Sequence, residues 1–432
     1  MLVKRWYLLH ALIWLGVFAL ATCVVHAMAV DLIATDPMMT WNPRRLSAFD
    51  SEYGDSFGWS TSISGRGLVV GAPDKNSSRG AVYAFERNAA GTVNDWLLVE
   101  KITAADPVDD DQFGGAVSLD GDTLAVGASG RNSKQGMVYV FERERMGGWM
   151  LIKEIVASDP VDEDRFGKSV SVSGDVLVVG ANGKDSYQGA AYVFERDAGG
   201  TLNGWGQVQK IVASDPTGVD YFGRSVFVSG DTIAVGAPYK NSNQGAVYVF
   251  ERGGGGGWLQ AEKIIAPDPV NGACFGRSVF ISGDTLIVGA PGENSHQGAA
   301  YVFERVVEGT VSRWLLVERI VALDPASNDY FGRSLSVSGD TLFVGAFSKD
   351  YTQGATYVFE RDWGGTLNDW GQIAKITAPN PANGAYFGSS VSIDGDSFVI
   401  GVYGENLLQG AAYVYRLPVD FRFYLPLLLR NH

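Results

Sequence analysis

Cysteine is nearly absent from this 432-residue chain, which has only Cys23 and Cys274. Two cysteines cannot build a disulfide framework, and Cys23 sits in an N-terminal apolar stretch, so cross-links do not hold the fold. Histidine is almost as scarce, with four in all. Beyond residue 29 only His296 and His432 remain, so a serine or cysteine nucleophile would find one internal histidine base. No Gly-x-Ser-x-Gly elbow is present. Phe166-Gly-Lys-Ser169 imitates the end of a phosphate-binding loop, but Asp162 stands where its first glycine belongs. Cations are outnumbered 34 to 48, for a formal charge of −14, and such a surface repels a nucleic-acid backbone. Only 19% of residues are charged against 46% hydrophobic, which excludes a disordered chain. Glycine is plentiful: 55 residues are too many for long helices and too few for a collagen repeat, and imply many short strands joined by tight turns.

The first 29 residues read as an export signal. Lys4 and Arg5 precede an apolar run from Trp6 to Val25, and Ala27-Met28-Ala29 forms a small-x-small cleavage site. Left uncleaved, the run is long enough to anchor the chain in a membrane, and in either case the rest is carried outside. Leu20-Ala21-Thr22-Cys23 also resembles a lipoprotein box, with Thr22 in place of the usual small residue. Cleavage after Ala29 would leave 32 basic residues against 48 acidic ones.

An internal repeat sets the fold. Phe-Gly recurs at Phe57, Phe113, Phe166, Phe222, Phe275, Phe331 and Phe387, at spacings of 56 or 53 residues, and seven such units form a propeller. Each unit reads as three strands, such as Arg277 to Ile281, Thr285 to Gly289 and Ala299 to Glu304, then a fourth opening at a tryptophan. Ser-Gly-Asp joins the first two strands as a hairpin turn, and Asp120-Gly121 and Asp394-Gly395 are expected to be stronger versions of that turn. Trp96, Trp149, Trp205, Trp258, Trp314 and Trp370 each precede the next Phe-Gly by 17 residues, and Trp41 precedes Phe57 by 16. The segment Trp41 to Ala48 is therefore a fourth strand without its own first three, whereas the last unit ends at Arg416 without a fourth. The N-terminal strand is expected to close the seventh blade, with Pro43 tolerated on an outer edge. The division is 1–29 signal, 30–40 linker, 41–416 all-β seven-bladed propeller of four-stranded antiparallel blades, and 417–432 a tail that packs on the last blade or signals surface attachment.

Units such as Phe222-Gly-Arg-Ser-Val-Phe-Val-Ser-Gly-Asp-Thr-Ile-Ala-Val-Gly236-Ala-Pro238 with Gln244-Gly-Ala-Val-Tyr-Val-Phe250 resemble FG-GAP repeats, the units of the N-terminal propeller of integrin α chains. The resemblance implies a seven-bladed propeller whose loops from strand four to strand one, and from strand two to strand three, share the partner-binding face. Gly-Ala-Pro itself stands only at Gly71, Gly236 and Gly289; elsewhere the third residue is Ser129, Asn182, Phe347 or Tyr403. The family's calcium loops lie between strands one and two, and here that loop has shrunk to Ser-Gly-Asp, too short to wrap a cation. Asp122, Asp175, Asp231, Asp284, Asp340 and Asp396 are read instead as turn residues bonding local amides, and no metal site is carried over.

A second acidic set precedes Phe-Gly, as in Asp106-Pro-Val-Asp-Asp-Asp111 and Asp159-Pro-Val-Asp-Glu-Asp164. Its residues are read as loop caps bonding backbone N–H groups, with calcium on Asp109, Asp111, Asp162 and Asp164 the alternative. Cofactors are otherwise expected to be none. On the same face the 2–3 segments, such as Lys75-Asn-Ser-Ser-Arg79, Arg131-Asn-Ser-Lys-Gln135, Lys240-Asn-Ser-Asn-Gln244 and Glu293-Asn-Ser-His-Gln297, are polar and suit a glycan or a wet protein interface.

One position breaks the seven-fold symmetry. The residue after Phe-Gly is Trp59, Gly115, Lys168, Arg224, Arg277, Arg333 and Ser389 in turn, so four consecutive blades carry a cation. Tyr221, Tyr330 and Tyr386 stand just before the phenylalanine. First strands line the channel of a propeller, so these seven groups form a candidate site for a carboxylate or sulfate, with tyrosines to stack a sugar. The competing account pairs the cations with Asp164, Asp220 and Asp329, although Arg277 has Ala273 where its aspartate would be.

The expected protein is a secreted or cell-surface binding and adhesion module, a monomer and not an enzyme. Its expected partner is an extracellular glycan or protein, and it meets a membrane only through an uncleaved N-terminus. The alternatives are a lyase or hydrolase acting on acidic glycans at the channel mouth, and a structural surface-layer component.

Overall fold

The computed structural model describes residues 42–88, 95–145, 147–198, 200, 204–309, 311–363 and 369–417. The signal segment, the linker, Trp41 and the tail from 418 to 432 lie outside them. Among the described residues no helix is long and apolar enough to cross a membrane.

Seven four-stranded antiparallel sheets follow one another round a ring. Their first strands are Ser60–Ser64, Phe113–Asp120, Phe166–Ser173, Ser225–Ser229, Ser278–Ser282, Ser334–Ser338 and Ser390–Asp394, which head blades one to seven. Each packs against the next, and the seventh packs against the first, so they enclose the central channel. Blade four shows the local logic. Ser229 pairs with Thr232, leaving Gly230 and Asp231 as the two-residue turn, with Gly230 at φ 54°, a conformation that glycine adopts without a Cβ clash. The same two positions make the turn where the sequence reads Asp-Gly. Asp120 pairs with Thr123 and Asp394 with Ser397, so these aspartates end their strands and do not enter the turn. The expected stronger Asp-Gly turn is not formed, because register puts the glycine first in the loop.

The core lies between blades rather than within them. Second strands are buried along their whole length, as in Thr232–Ala237, whereas fourth strands such as Trp258–Ile264 are buried only at their ends. The Phe-Gly phenylalanine is buried and meets third-strand aromatics edge-on, with Phe222 5.5 Å from Tyr248 and 6.2 Å from Phe250. The Gly-Ala glycine is a packing requirement: a Cβ on Gly236 would stand 2.0 Å from the Gly276 carbonyl oxygen of the next blade. Six tryptophans from Trp96 to Trp370 are buried where fourth strands begin.

The ring closes as expected. Arg44–Leu46 pairs antiparallel with Ala411–Arg416, in the register Arg44 to Val414 and Leu46 to Ala412. Phe57 bridges Gly410 just as each other Phe-Gly phenylalanine bridges the preceding blade. Arg45 Nε donates to Glu405 Oε1 at 2.7 Å, and Leu46 is buried. Leu417, the last described residue, packs against the interface of blades six and seven.

Candidate functional site

The residues flanking Phe-Gly are brought together by a tight turn. In blade four Arg224 N–H donates to the Tyr221 carbonyl at 3.0 Å, while Tyr221 N–H donates to Tyr187 of the preceding blade at 2.9 Å. The residue before Phe-Gly is therefore held left-handed in every blade, although none is glycine: φ is 55° at Tyr221, 56° at Cys274 and 57° at Tyr330. These bonds also bring the 4–1 loops against the 2–3 turns, so both lie on one face, as expected. The 2–3 turns are themselves left-handed, with Asn241 at φ 50° and Ser242 at 57°.

Those turns correct one expectation. The leading charge of each polar segment is not surface: Lys75, Arg131, Lys240 and Glu293 are all buried. Lys240 Nζ lies 2.9 Å from Asp220 Oδ2, Lys184 2.9 Å from Asp164, Lys349 2.9 Å from Asp329, and Arg131 2.6 Å from Asp111. The same aspartates cap their loops as expected, with Asp220 accepting from Thr217 N–H at 2.7 Å and Asp164 from Val161 N–H at 2.8 Å. Where Ala273 and Ala385 replace the aspartate, Glu293 and Glu405 replace the lysine. Glu293 then takes Tyr301 and Arg319, and Glu405 takes Tyr413 and Arg45. The four calcium candidates are thus engaged elsewhere: Asp111 and Asp164 as above, Asp109 with Arg79 at 2.7 Å, and Asp162 with the Gln135 amide at 2.9 Å. In the same loop as Asp162 and Asp164, Asp159 illustrates how firmly such carboxylates are held. Burial works to raise its pKa, but hydrogen bonds from Lys210 and Tyr192 outweigh it and hold the group at about 2.

The Ser-Gly-Asp aspartates also differ from expectation. Their carboxylates meet the arginine that ends strand three, with Asp231 3.0 Å from Arg252 and Asp175 2.9 Å from Arg196, while the backbone amide of that arginine bonds the aspartate carbonyl. The charged arginine beside the turn is the stronger partner for the carboxylate than a local neutral amide. In five blades, at Arg143, Arg196, Arg252, Arg305 and Arg361, the arginine also reaches a glutamate of the previous blade and stacks on its own blade's tryptophan. Arg252, for example, lies 2.9 Å from Glu195 and 4.7 Å from the Trp258 ring centre.

Lys168, Arg224, Arg277 and Arg333 stand apart from all of this. Asp164, Asp220 and Asp329 are taken by lysines, and among the described residues none of the four mouth cations has an ion pair or a side-chain hydrogen bond. They converge closely enough to destabilise one another's charge. Burial, then Arg224, Arg165, Arg277 and Arg333, bring Lys168 down to about 8. Burial and Arg277 bring Arg333 down to about 9. Arg224 is lowered well below its ordinary value by burial, Arg277 and Arg333. On Arg277 burial also lowers, and what favours its charge is Tyr239 and Cys274, with no carboxylate.

A cavity of about 160 Å³ opens here, lined by Lys168, Arg224 and Arg333, by the rings of Trp59, Phe347 and Tyr403, and by the small residues Gly115 and Ser389. The tyrosines expected to offer stacking platforms are engaged with other rings. Tyr221 stacks on Tyr187 at 5.1 Å, Tyr386 on Tyr403 at 4.9 Å, and Tyr330 lies between His296 at 4.8 Å and Phe347 at 5.4 Å. They form an aromatic rim with Trp59, which lies 4.9 Å from Tyr403 and is exposed. Sequence reasoning missed Arg165, Tyr239, Phe347 and Tyr403. The signal for the last two was present, since both stand where other repeats have the proline of Gly-Ala-Pro.

A closed ring of seven repeated blades, with a cluster of cations at the channel mouth, defines a propeller of the ligand-binding kind. The chain belongs to the FG-GAP repeat family, which matches it seven times, at residues 42–85, 96–141, 149–194, 205–250, 258–303, 314–359 and 370–415. Each match begins at a fourth strand and ends at the third strand of the next blade, so the repeat is offset from the blade by one strand. No curated protein matches the chain.

Proposed function

We propose that this protein is an extracellular binding module that holds an anionic group of a glycan or protein ligand at the mouth of its channel. One observation carries the reading: four half-buried cations converge without an acidic partner among the described residues, in a chain whose net charge is −14. Other described cations without an ion pair, such as Arg66 and Lys153, are exposed to water. A cluster that repels itself, at a concave and partly apolar site, is stabilised by a ligand that neutralises it. The export signal read in residues 1–29 would place the module outside the cell, where acidic glycans and protein surfaces are the available partners.

The test is an acidic-glycan array read with the parent and with an Arg224→Ala/Arg277→Ala double variant. Retention that the double variant loses, with unchanged melting, supports the reading; retention equal in both removes it. A lyase is the second reading. It draws on Lys168, whose pKa near 8 makes a neutral amine available beside guanidinium groups. Unsaturated products released from a uronic-acid polymer by the purified protein would favour it.

A further inference from the structure

We propose that the channel mouth selects a doubly charged tetrahedral oxyanion, inorganic phosphate or sulfate or the phosphate of a monoester, over singly charged carboxylates. The proposal deepens the anion-binding reading and rests on it.

The geometry of the cations points there first. Lys168, Arg224, Arg277 and Arg333 come from four consecutive blades, so they approach the axis from an arc and not from one side. A carboxylate presents two oxygens in one plane and is matched by one guanidinium fork. A phosphate presents three terminal oxygens in three directions and can accept from several cations at once. The charge balance points the same way: a single negative charge leaves most of the cluster's mutual repulsion in place, whereas a double charge relieves more of it. Size gives a third constraint. About 160 Å³ is below the roughly 300–1,000 Å³ of sites for drug-sized ligands, so the cavity suits a compact group and not a whole oligomer. Among the described residues no carboxylate lines it to oppose such a group, and Gly115 and Ser389 leave room beside the cations.

Cys274 supplies a reporter. It stands just before Phe275 and three residues from Arg277, is only part-exposed, and is close enough to Arg277 and Arg333 to sense both charges. An anion held by those arginines should slow alkylation of its thiol by iodoacetamide, followed by mass spectrometry of the Cys274 peptide from the full chain.

The experiment compares sulfate, inorganic phosphate, glucose 6-phosphate, glucuronate and acetate at constant ionic strength and pH 7, by calorimetry and by Cys274 protection. Expected is at least tenfold tighter binding of the dianions than of glucuronate or acetate, with that preference lost in Arg277→Ala and Arg224→Ala proteins that melt like the parent. Tighter binding of glucose 6-phosphate than of inorganic phosphate identifies a carried ester, and the reverse identifies the free ion. Glucose 6-phosphate should weaken from pH 7 to pH 5, as its second proton returns near pH 6, while sulfate should not. Above pH 8 both should weaken as Lys168 loses its proton among Arg165, Arg224, Arg277 and Arg333. Glucuronate binding as tightly as the dianions would overturn the selectivity and leave the anion site standing. If no anion binds or protects Cys274 in the parent, both fall.

Discussion

The two faces of the propeller use the same residue type in opposite ways. On the hairpin side, arginines such as Arg252 are met by one acid of their own blade, by a second from the blade before, and by a tryptophan face. At the mouth, Arg224, Arg277 and Arg333 are met by no acid among the described residues. Arginine on the hairpin side joins blades; at the mouth it adds repulsion to a fold that stands without it. Perturbed charges of this kind cluster at functional sites, which is the ground of the anion-binding proposal.

The contrast can be broken from its structural side first. Removing residues 30–48 takes away Leu46, whose burial alone contributes about 2 kcal/mol, together with the strand pairing and the Arg45 bond to Glu405. It should lower the melting temperature more than any point substitution and promote edge-to-edge association seen by light scattering, whereas removing 30–38 should do neither. Next comes Lys240→Ala, which leaves Asp220 buried without its ion pair and should cost about 3–5 kcal/mol in denaturant titration. Arg252→Ala, at a partly exposed network with a stacked tryptophan, should cost only about 1 kcal/mol in the same assay. Arg277→Ala should leave stability within about 0.5 kcal/mol of the parent or raise it, and a loss as large as that of Lys240→Ala would erase the contrast. The smallest effect is a slope. Lys168 titrates near 8 in the fold and near its ordinary value when unfolded, so between those pH values the unfolded chain binds more protons and Lys168 makes stability rise with pH. The parent's melting temperature should therefore gain on that of Lys168→Ala above pH 8.

Much of this was open to reading in the sequence because repeats print their geometry as spacing. The seven Phe-Gly pairs fixed the number of blades, the displaced segment before Ala48 announced the closure, and the unequal residues after Phe-Gly placed the cations at one mouth. The buried ion pairs were harder to see. Lys240 stands 20 residues after Asp220, with two strands and two turns between, and nothing local to either residue names the other. Comparison between repeats does name it, since glutamate replaces the lysine in the two blades that carry Ala273 and Ala385. The ring-on-ring contacts of Tyr221, Tyr330 and Tyr386 depend on side-chain direction across blades, which spacing along the chain does not encode.

The one-strand offset between repeat and blade also settles how the molecule bears load. The chain enters at Arg44 and leaves near Val414, directly opposite each other in the closing sheet. A pull between those two points would part the sheet one backbone bond at a time, as a zip opens, and would leave six blades untouched. A pull on a ligand at the mouth, with the protein held by one end only, would instead draw the closing strand lengthwise along its neighbour, so that its few bonds resist together. The ring is thus a weak link between its own two ends and a firmer one between either end and its mouth.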